Sequence, residues 1–370
     1  MSTTVQAATL VAPYQLEVRA YPYPEALEPG AVLLRMRASG ICGTDKHTFR
    51  GEVDQYPGSE TKARGATYPL IQGHENVGTV EAIGEGAAAY AGDGTPLSPG
   101  DRVVPAPNRA CGHCRPCQRG FPYFLCQNLD SYGNALAADM APHLWGGWAE
   151  YMYLKPGTGL FRVPDSLPDK VAVMTEIFAV THSLERAAAL PSPAGFRPGD
   201  TVAVVGVGAL GQAHAVKAGL MGAGRIFAVD HSQKRLDVAA RVAGAEPADA
   251  EELHDIDLVV DATGFPGSFG QAVRMVRDGG TIIEVGAFVD MGEETFNPAI
   301  LCGRNLAMLG IGGEDLLVYD RTLALMARHA DSIPFAEMVS HRFDVADAPA
   351  AMQTALDAER SAKVLITPAA

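Results

Sequence analysis

Two different rhythms of hydrophobic residues divide the chain. Up to about residue 180, apolar residues come in short runs or alternate with polar ones, as in Ala31-Val-Leu-Leu-Arg-Met-Arg37 and Asn76-Val-Gly-Thr-Val-Glu-Ala-Ile83. Gly and Pro break these runs repeatedly, which predicts short strands and few helices. From about residue 182, short apolar runs alternate with amphipathic stretches of helix length, the pattern of parallel βαβ units. The predicted strands there are Thr201-Val-Ala-Val-Val205, Arg225-Ile-Phe-Ala-Val-Asp230, Leu258-Val-Val-Asp261, Thr281-Ile-Ile-Glu-Val285 and Leu306-Ala-Met-Leu309, with a short sixth near Ala245. Six strands with helices between them suit a doubly wound dinucleotide-binding sheet. Beyond about residue 330 the character is mixed again, with a strand over Ser340-His-Arg-Phe-Asp344 and a helix from Asp347 to Glu359. The fold class expected is therefore α/β: a mostly-β domain over residues 1–181, a Rossmann-type domain over 182–328, and a return of 329–370 to the first domain.

Composition narrows the class of molecule. At 370 residues the chain exceeds one average domain, and 47% hydrophobic against 19% charged residues describes a folded protein with real cores. The net charge of −14 is spread without a long acidic run, and Lys plus Arg total only 29. Nucleic acid and anionic membranes both demand a concentrated basic surface, so neither is an expected partner. No apolar stretch is long enough to span a bilayer, and no basic residue precedes Arg19, so a cytoplasmic location is expected.

Val205-Gly206-Val-Gly208-Ala209-Leu210-Gly211 follows a buried strand and opens an apolar helix. In that setting the first glycine permits the turn, the second lets a pyrophosphate approach the backbone, and the third allows close helix packing. Asp230 closes the next strand nineteen residues past Gly211, where a carboxylate accepts from both adenosine ribose hydroxyls and repels a 2′-phosphate. NAD is thus favoured over NADP, with Lys234 and Arg235 near enough to keep the second in view. Arg235, Thr263 and Val285 join the expected cofactor contacts, the last two at strand ends.

Four of the six cysteines, Cys111, Cys114, Cys117 and Cys126, fall within sixteen residues, separated by two, two and eight residues. Four thiolates in one loop close a tetrahedral zinc shell without an open position, which makes a structural site. A second, dispersed group reads Gly40-Ile-Cys42-Gly-Thr44-Asp45-Lys-His47, then Gly73-His74-Glu75, and Thr175-Glu176-Ile177. Each of these residues alone would be ordinary core; their combination carries the chemistry.

Taken together, Gly40-Ile-Cys-Gly-Thr-Asp45, Gly73-His-Glu75, Pro99-Gly-Asp-Arg-Val103, the four-cysteine loop and the Gly206–Gly211 turn resemble, in order, the zinc-dependent medium-chain dehydrogenase/reductase superfamily. The resemblance covers essentially the whole chain and implies a GroES-like first domain, two zinc ions per chain, NAD, and a homodimer or homotetramer. It makes Cys42 and His74 ligands of a catalytic zinc, with Glu176 as the third and Glu75 close behind, able to approach the metal. It gives Thr44 the hydroxyl that touches the substrate oxygen, His47 the imidazole that passes the proton on, and Asp45 the carboxylate that orients His74. It sets Lys363 near Asp45 or the cofactor phosphate. Two features depart from the family. The Cys117–Cys126 interval is one residue longer than its usual seven, with an aromatic Gly120-Phe-Pro-Tyr-Phe-Leu125 inside it. Where its polyol enzymes carry an arginine after the sixth strand, this chain reads Gly310-Ile-Gly-Gly-Glu314, which argues against a polyol despite the polyol-like Glu176.

The implied chemistry is oxidation of an alcohol. Hydride leaves a carbinol carbon readily only when its oxygen carries negative charge, so a Lewis acid and a proton path are both needed. Phe49, Tyr132, Trp145, Trp148 and Phe288 are candidate pocket walls, and the insert from Thr48 to Tyr68, with Arg50, Lys62 and Arg64, is a candidate lid. Competing readings are a polyol or threonine-type dehydrogenase, a zinc-free reductase of double bonds, and a non-catalytic NAD-binding redox sensor. The intact Cys42, Thr44, His47, His74 and Glu176 set opposes the last two.

Overall fold

The computed structural model describes residues 4–55 and 65–368. Lys62 and Arg64 of the candidate lid lie outside the described residues.

The C-terminal half builds one sheet in the order Glu246–Pro247, Arg225–Val229, Thr201–Val205, Ile256–Asp261, Val276–Glu284, Ala307–Gly310, with every pair parallel. The first strand sits near the middle and the order reverses beside it, so the carboxyl ends of Thr201–Val205 and Ile256–Asp261 border a crevice. The unbroken apolar run of Thr201–Val205 has a direct cause. Val202 and Val204 face one core with Leu258 and Val260, while Ala203 and Val205 face the other with Val259 and Ile282. Both faces are covered by helices, so neither can be polar.

The N-terminal half builds a seven-stranded sheet whose centre is Val32–Gly40, paired antiparallel with Glu75–Ile83, Tyr151–Leu154 and Lys363–Thr367. The last of these belongs to the tail, which leaves the parallel sheet and re-enters the first one through Val339–Asp344 and Lys363–Thr367, a parallel pair. The helix predicted over 347–359 forms over Ala348–Leu356.

One core cluster joins the two halves. Ala38, Val77, Val104 and Phe161 pack with Ile177, Phe178, Ala213, Val216, Tyr319 and Leu323, all buried. By contrast, Tyr132 and Trp145 fill the core of the first sheet, and Phe49 and Trp148 pack under its other face. All four are at most 3% exposed, so they are core residues and not pocket walls.

Candidate functional site

Cys42 is the N-cap of the helix Gly43–Arg50, and the cap is what assembles the site. Asp45 Oδ2 accepts the Cys42 backbone N–H at 2.8 Å, closing a reciprocal cap in which the thiol faces the Asp45 amide. Thr44 and His47 ride on the same short helix. The His74 side chain enters from the first residue before Glu75–Ile83, its Nδ1 3.6 Å from Asp45 Oδ1. Both atoms are buried and hydrogen-bond to nothing else among the described residues. A neighbouring carboxylate and thiol raise His74 well above its ordinary range against the opposing effect of burial, the largest influence on it.

Donor atoms of Cys42, His74 and Glu75 lie within 4.8 Å of one another, a soft and two harder donors gathered in the way a divalent zinc ion requires. Glu176, on the buried helix Thr175–Val180, lies outside that tight trio yet within electrostatic reach of His74 and Glu75. Burial pushes its carboxyl up to about 7, with His74 pulling the other way. Lys363 departs from expectation: its ammonium is paired with Glu75, 2.5 Å from Oε1 and in contact with Oε2, and it also donates to the Ile41 carbonyl at 3.2 Å. It is 2% exposed, and a buried ammonium demands such an anion. Glu52 is the residue sequence reasoning missed. Its Oε2 lies 2.6 Å from His47 Nδ1, and its position five residues on, just past the helix end, was the available signal.

The second cluster has its four sulfurs mutually within 4.8 Å. The Cys114–Cys126 separation of 3.8 Å equals the edge of a tetrahedron with bonds of about 2.3 Å. Backbone N–H groups of Cys111, Cys114 and Asn128 point at these sulfurs at 3.3 to 3.4 Å, as suits thiolates. The long Cys117–Cys126 interval contains a single helical turn, Tyr123–Leu125.

At the glycine-rich turn each glycine has its own reason. Gly206 has φ of 80°, and a Cβ on Gly211 would lie 2.0 Å from the Gly206 carbonyl oxygen. A Cβ on Gly208 would meet only Arg235 Nη1, at 4.0 Å, so the turn is open where a phosphate would approach. Gly208 caps the helix Ala209–Leu220, whose first N–H groups face that opening. Asp230 Oδ2 accepts the Val207 amide at 2.9 Å and Oδ1 the Ser232 amide at 2.9 Å, so this carboxylate also ties the turn to the next strand. Arg235 Nη1 stands 3.8 Å from Asp230, and its Nε is buried without a partner. Thr263 and Val285 follow their strands at the same sheet end, with Thr263 donating to Asp261.

Family models agree with this geometry: an alcohol dehydrogenase GroES-like domain matches residues 28–165 and a zinc-binding dehydrogenase domain matches 206–328. A Mycobacterium tuberculosis (strain ATCC 25618 / H37Rv) protein named "Probable alcohol dehydrogenase adh" is 33% identical over 353 residues, covering 90% of this chain and 89% of that one. "D-xylulose reductase A" of Aspergillus niger is 30% identical over 307 residues, 78% of this chain and 76% of its own. Among solved structures, one described as a zinc-binding dehydrogenase from Sinorhizobium meliloti 1021, bound to NADP, superimposes with a TM-score of 0.82 at 26% identity, covering 99% of this chain and 100% of that one. No helix among the described residues is long and apolar enough to cross a membrane. The chain belongs to the medium-chain dehydrogenase/reductase family, and it is an oxidoreductase that works with zinc and a nicotinamide dinucleotide.

Proposed function

We propose that the protein transfers a hydride between a primary or secondary alcohol and NAD, giving the aldehyde or ketone. The observation that carries this reading is the gathering of Cys42, His74 and a buried carboxylate beside Thr44 and His47. Zinc held there would supply Lewis acidity toward an alcohol oxygen, and a bound nicotinamide dinucleotide would supply the hydride acceptor.

The side chains do the rest. Cys42 and His74 hold the metal, and Glu176 completes the set while Lys363 keeps both Glu75 oxygens engaged. Asp45 fixes the His74 ring through Nδ1, leaving Nε2 for the metal. Thr44 accepts the alcohol proton relay at its hydroxyl. Glu52 holds His47 Nδ1–H, so Nε2 is the nitrogen free to take the proton outward. The helix N-terminus at Gly208 receives the pyrophosphate, and Asp230 grips the adenosine ribose, which supports NAD as the preferred dinucleotide.

A second reading, a polyol dehydrogenase, is favoured by Glu176 and by the A. niger relative's name. A non-catalytic redox sensor is separated from both by turnover. Alcohol-dependent NADH formation, followed at 340 nm with primary, secondary, aromatic, terpenoid and sugar-derived alcohols, tests the proposal, together with metal analysis expecting about two zinc ions per chain. No turnover with any alcohol, or full activity with less than one zinc, would overturn it. Family likeness also predicts a homodimer or homotetramer, measurable by light scattering.

A further inference from the structure

Between Asp45 and His47 on the helix Gly43–Arg50 stands Lys46, a half-buried cation that neither the metal donors nor the proton path uses. It forms no ion pair with a carboxylate among the described residues, and the charges that act on it most are Arg235, then Cys42, Lys363 and Arg50. Lys363 is already neutralised by Glu75, and Cys42 is one of the gathered metal donors. What remains around Lys46 is positive. Burial, followed by the Arg235 charge, pushes its ammonium down to about 8.

Arg235 comes from the other half of the fold, on the helix Gln233–Ala243. The tail brings the two helices together: Lys363 donates to the Ile41 carbonyl, one residue before Cys42, while Ser232 and Lys234 donate to the carbonyls of Ala358 and Arg360, a few residues earlier in the same tail. Arg235 is short of anions too. Both Asp230 oxygens accept backbone amides, Oδ2 stands 3.8 Å from the arginine's Nη1, and the buried Nε has no partner. The guanidinium borders the opening at Gly208, where a Cβ would meet nothing but Nη1, at 4.0 Å. Two cations from different halves of the molecule therefore share one site beside an open glycine turn. Like charges held partly out of water repel each other, and an anion placed between them reverses the sign of the interaction.

Resting on the placement of the diphosphate at the Gly208 turn, we propose that Lys46 is a cofactor-positioning residue: together with Arg235 it takes the diphosphate from the side of the first domain, so that the anion ties the two halves of the molecule together. The ligand class is a nucleoside diphosphate, free or as the core of the dinucleotide. Without the anion the two charges oppose each other, so one pair stabilises the loaded protein and destabilises the empty one. A 2′-phosphate beside Asp230 would offer the same chemistry from another part of NADP, and comparison of the two dinucleotides separates the two sources.

The test measures binding rather than turnover, on the zinc-loaded protein: NADH and NADPH by fluorescence titration, ADP and adenosine by displacement of NADH. Lys46→Met should raise the Kd about ten-fold for NADH, NADPH and ADP alike, the worth of one charge-assisted hydrogen bond, and leave adenosine unchanged. The difference from the parent should shrink as salt is raised, because screening weakens the charge that the variant lacks. Lys46→Arg should restore most of the affinity, with zinc content that of the parent in both variants. In the dinucleotide-free protein Lys46→Met should raise the melting temperature by about 1–3 °C, the opposite of what loss of a merely structural side chain does. Lys46→Gln carries the same measurements if the methionine variant does not fold. Affinities like the parent's, a loss confined to NADPH, an equal loss for adenosine, or a melting temperature below the parent's overturns this proposal alone. A parent protein that binds neither NADH nor ADP overturns the placement of the dinucleotide and this proposal with it.

Discussion

Asp45 Oδ1 and His74 Nδ1 face each other at 3.6 Å, both buried and each without another hydrogen-bond partner among the described residues. The other oxygen of Asp45 holds the Cys42 amide, so a single carboxylate contacts two of the proposed metal donors, from different segments. Replacing it by Asn keeps the shape and the cap but removes the charge that aligns the imidazole. Asp45→Asn should lower zinc affinity about ten- to a hundred-fold and reduce kcat in proportion to the metal lost. Competition against a chromogenic chelator reads the affinity directly; an unchanged affinity would mean that His74 is oriented by something else.

Asp230 ties Val207 of the turn to the following strand, and the proposed function gives the same carboxylate the adenosine ribose. Asp230→Ala should therefore raise the Kd for NADH about ten-fold or more while leaving NADPH much less affected. Fluorescence titration with both dinucleotides separates the two roles. Equal losses for both would show that the turn, and not ribose recognition, is what Asp230 provides.

The parts of the site written in contiguous residues were legible in the chain. The turn Gly206–Gly211 and the four cysteines are local patterns whose spacing alone restricts geometry, and the strands of the parallel sheet announce themselves because both faces are buried. What was not legible depends on contacts between distant segments. Glu314 could be read only as the lack of an arginine and Tyr123 only as an aromatic insert, because their meeting spans 191 positions. Lys363 shows the same limit, its charge being recognisable but its choice of Glu75 resting on where two strands bring the side chains. Trp145 and Tyr132, read as pocket walls, are instead neighbours in a stacked aromatic core, a distinction that hydrophobicity cannot make.

Two glycines of one turn should respond in opposite ways to the same methyl group. On Gly211 it would sit 2.0 Å from the Gly206 carbonyl oxygen, forcing the helix away from the strand. Gly211→Ala is expected to cost about 1–3 kcal/mol of stability, as overpacking does. On Gly208 the methyl meets only the end of Arg235, so Gly208→Ala should fold normally and lose dinucleotide affinity. Urea unfolding and NADH titration on both variants check the contrast. A destabilised Gly208→Ala, or one that binds normally, would sink the assignment of this opening to the pyrophosphate.

The four-cysteine lobe should hold its metal independently of the other donor set. Cys114 is buried and its sulfur lies 3.4 and 3.8 Å from those of Cys117 and Cys126, so removing it takes one corner from the four-sulfur shell. Cys114→Ser is expected to lose one zinc of two and to lower the melting temperature, since structural zinc contributes directly to folding. Metal analysis paired with calorimetry decides it: full zinc content with an unchanged Tm would mean the four thiols are merely neighbours.

Glu284 and Asp261 end adjacent parallel strands, and their carboxyls share one small volume beside the cofactor crevice. Glu284 Oε1 accepts the Gly286 and Ala287 amides at 2.9 Å, while Asp261 Oδ2 is buried with no partner. Burial, reinforced by the Asp261 charge, pushes Glu284 from 4.5 up to about 7. An acid whose folded value is raised stabilises the fold most when pH is below its unfolded value, and that contribution is lost as pH climbs through the folded one. The decline belongs between about pH 4.5 and 7. Glu284→Gln removes the titration, so relative to the parent protein it should gain stability on going from about pH 5 to about pH 8. Urea midpoints for both proteins at the two pH values measure this. A difference between variant and parent that does not change with pH would show that the two carboxyls never contend for one proton.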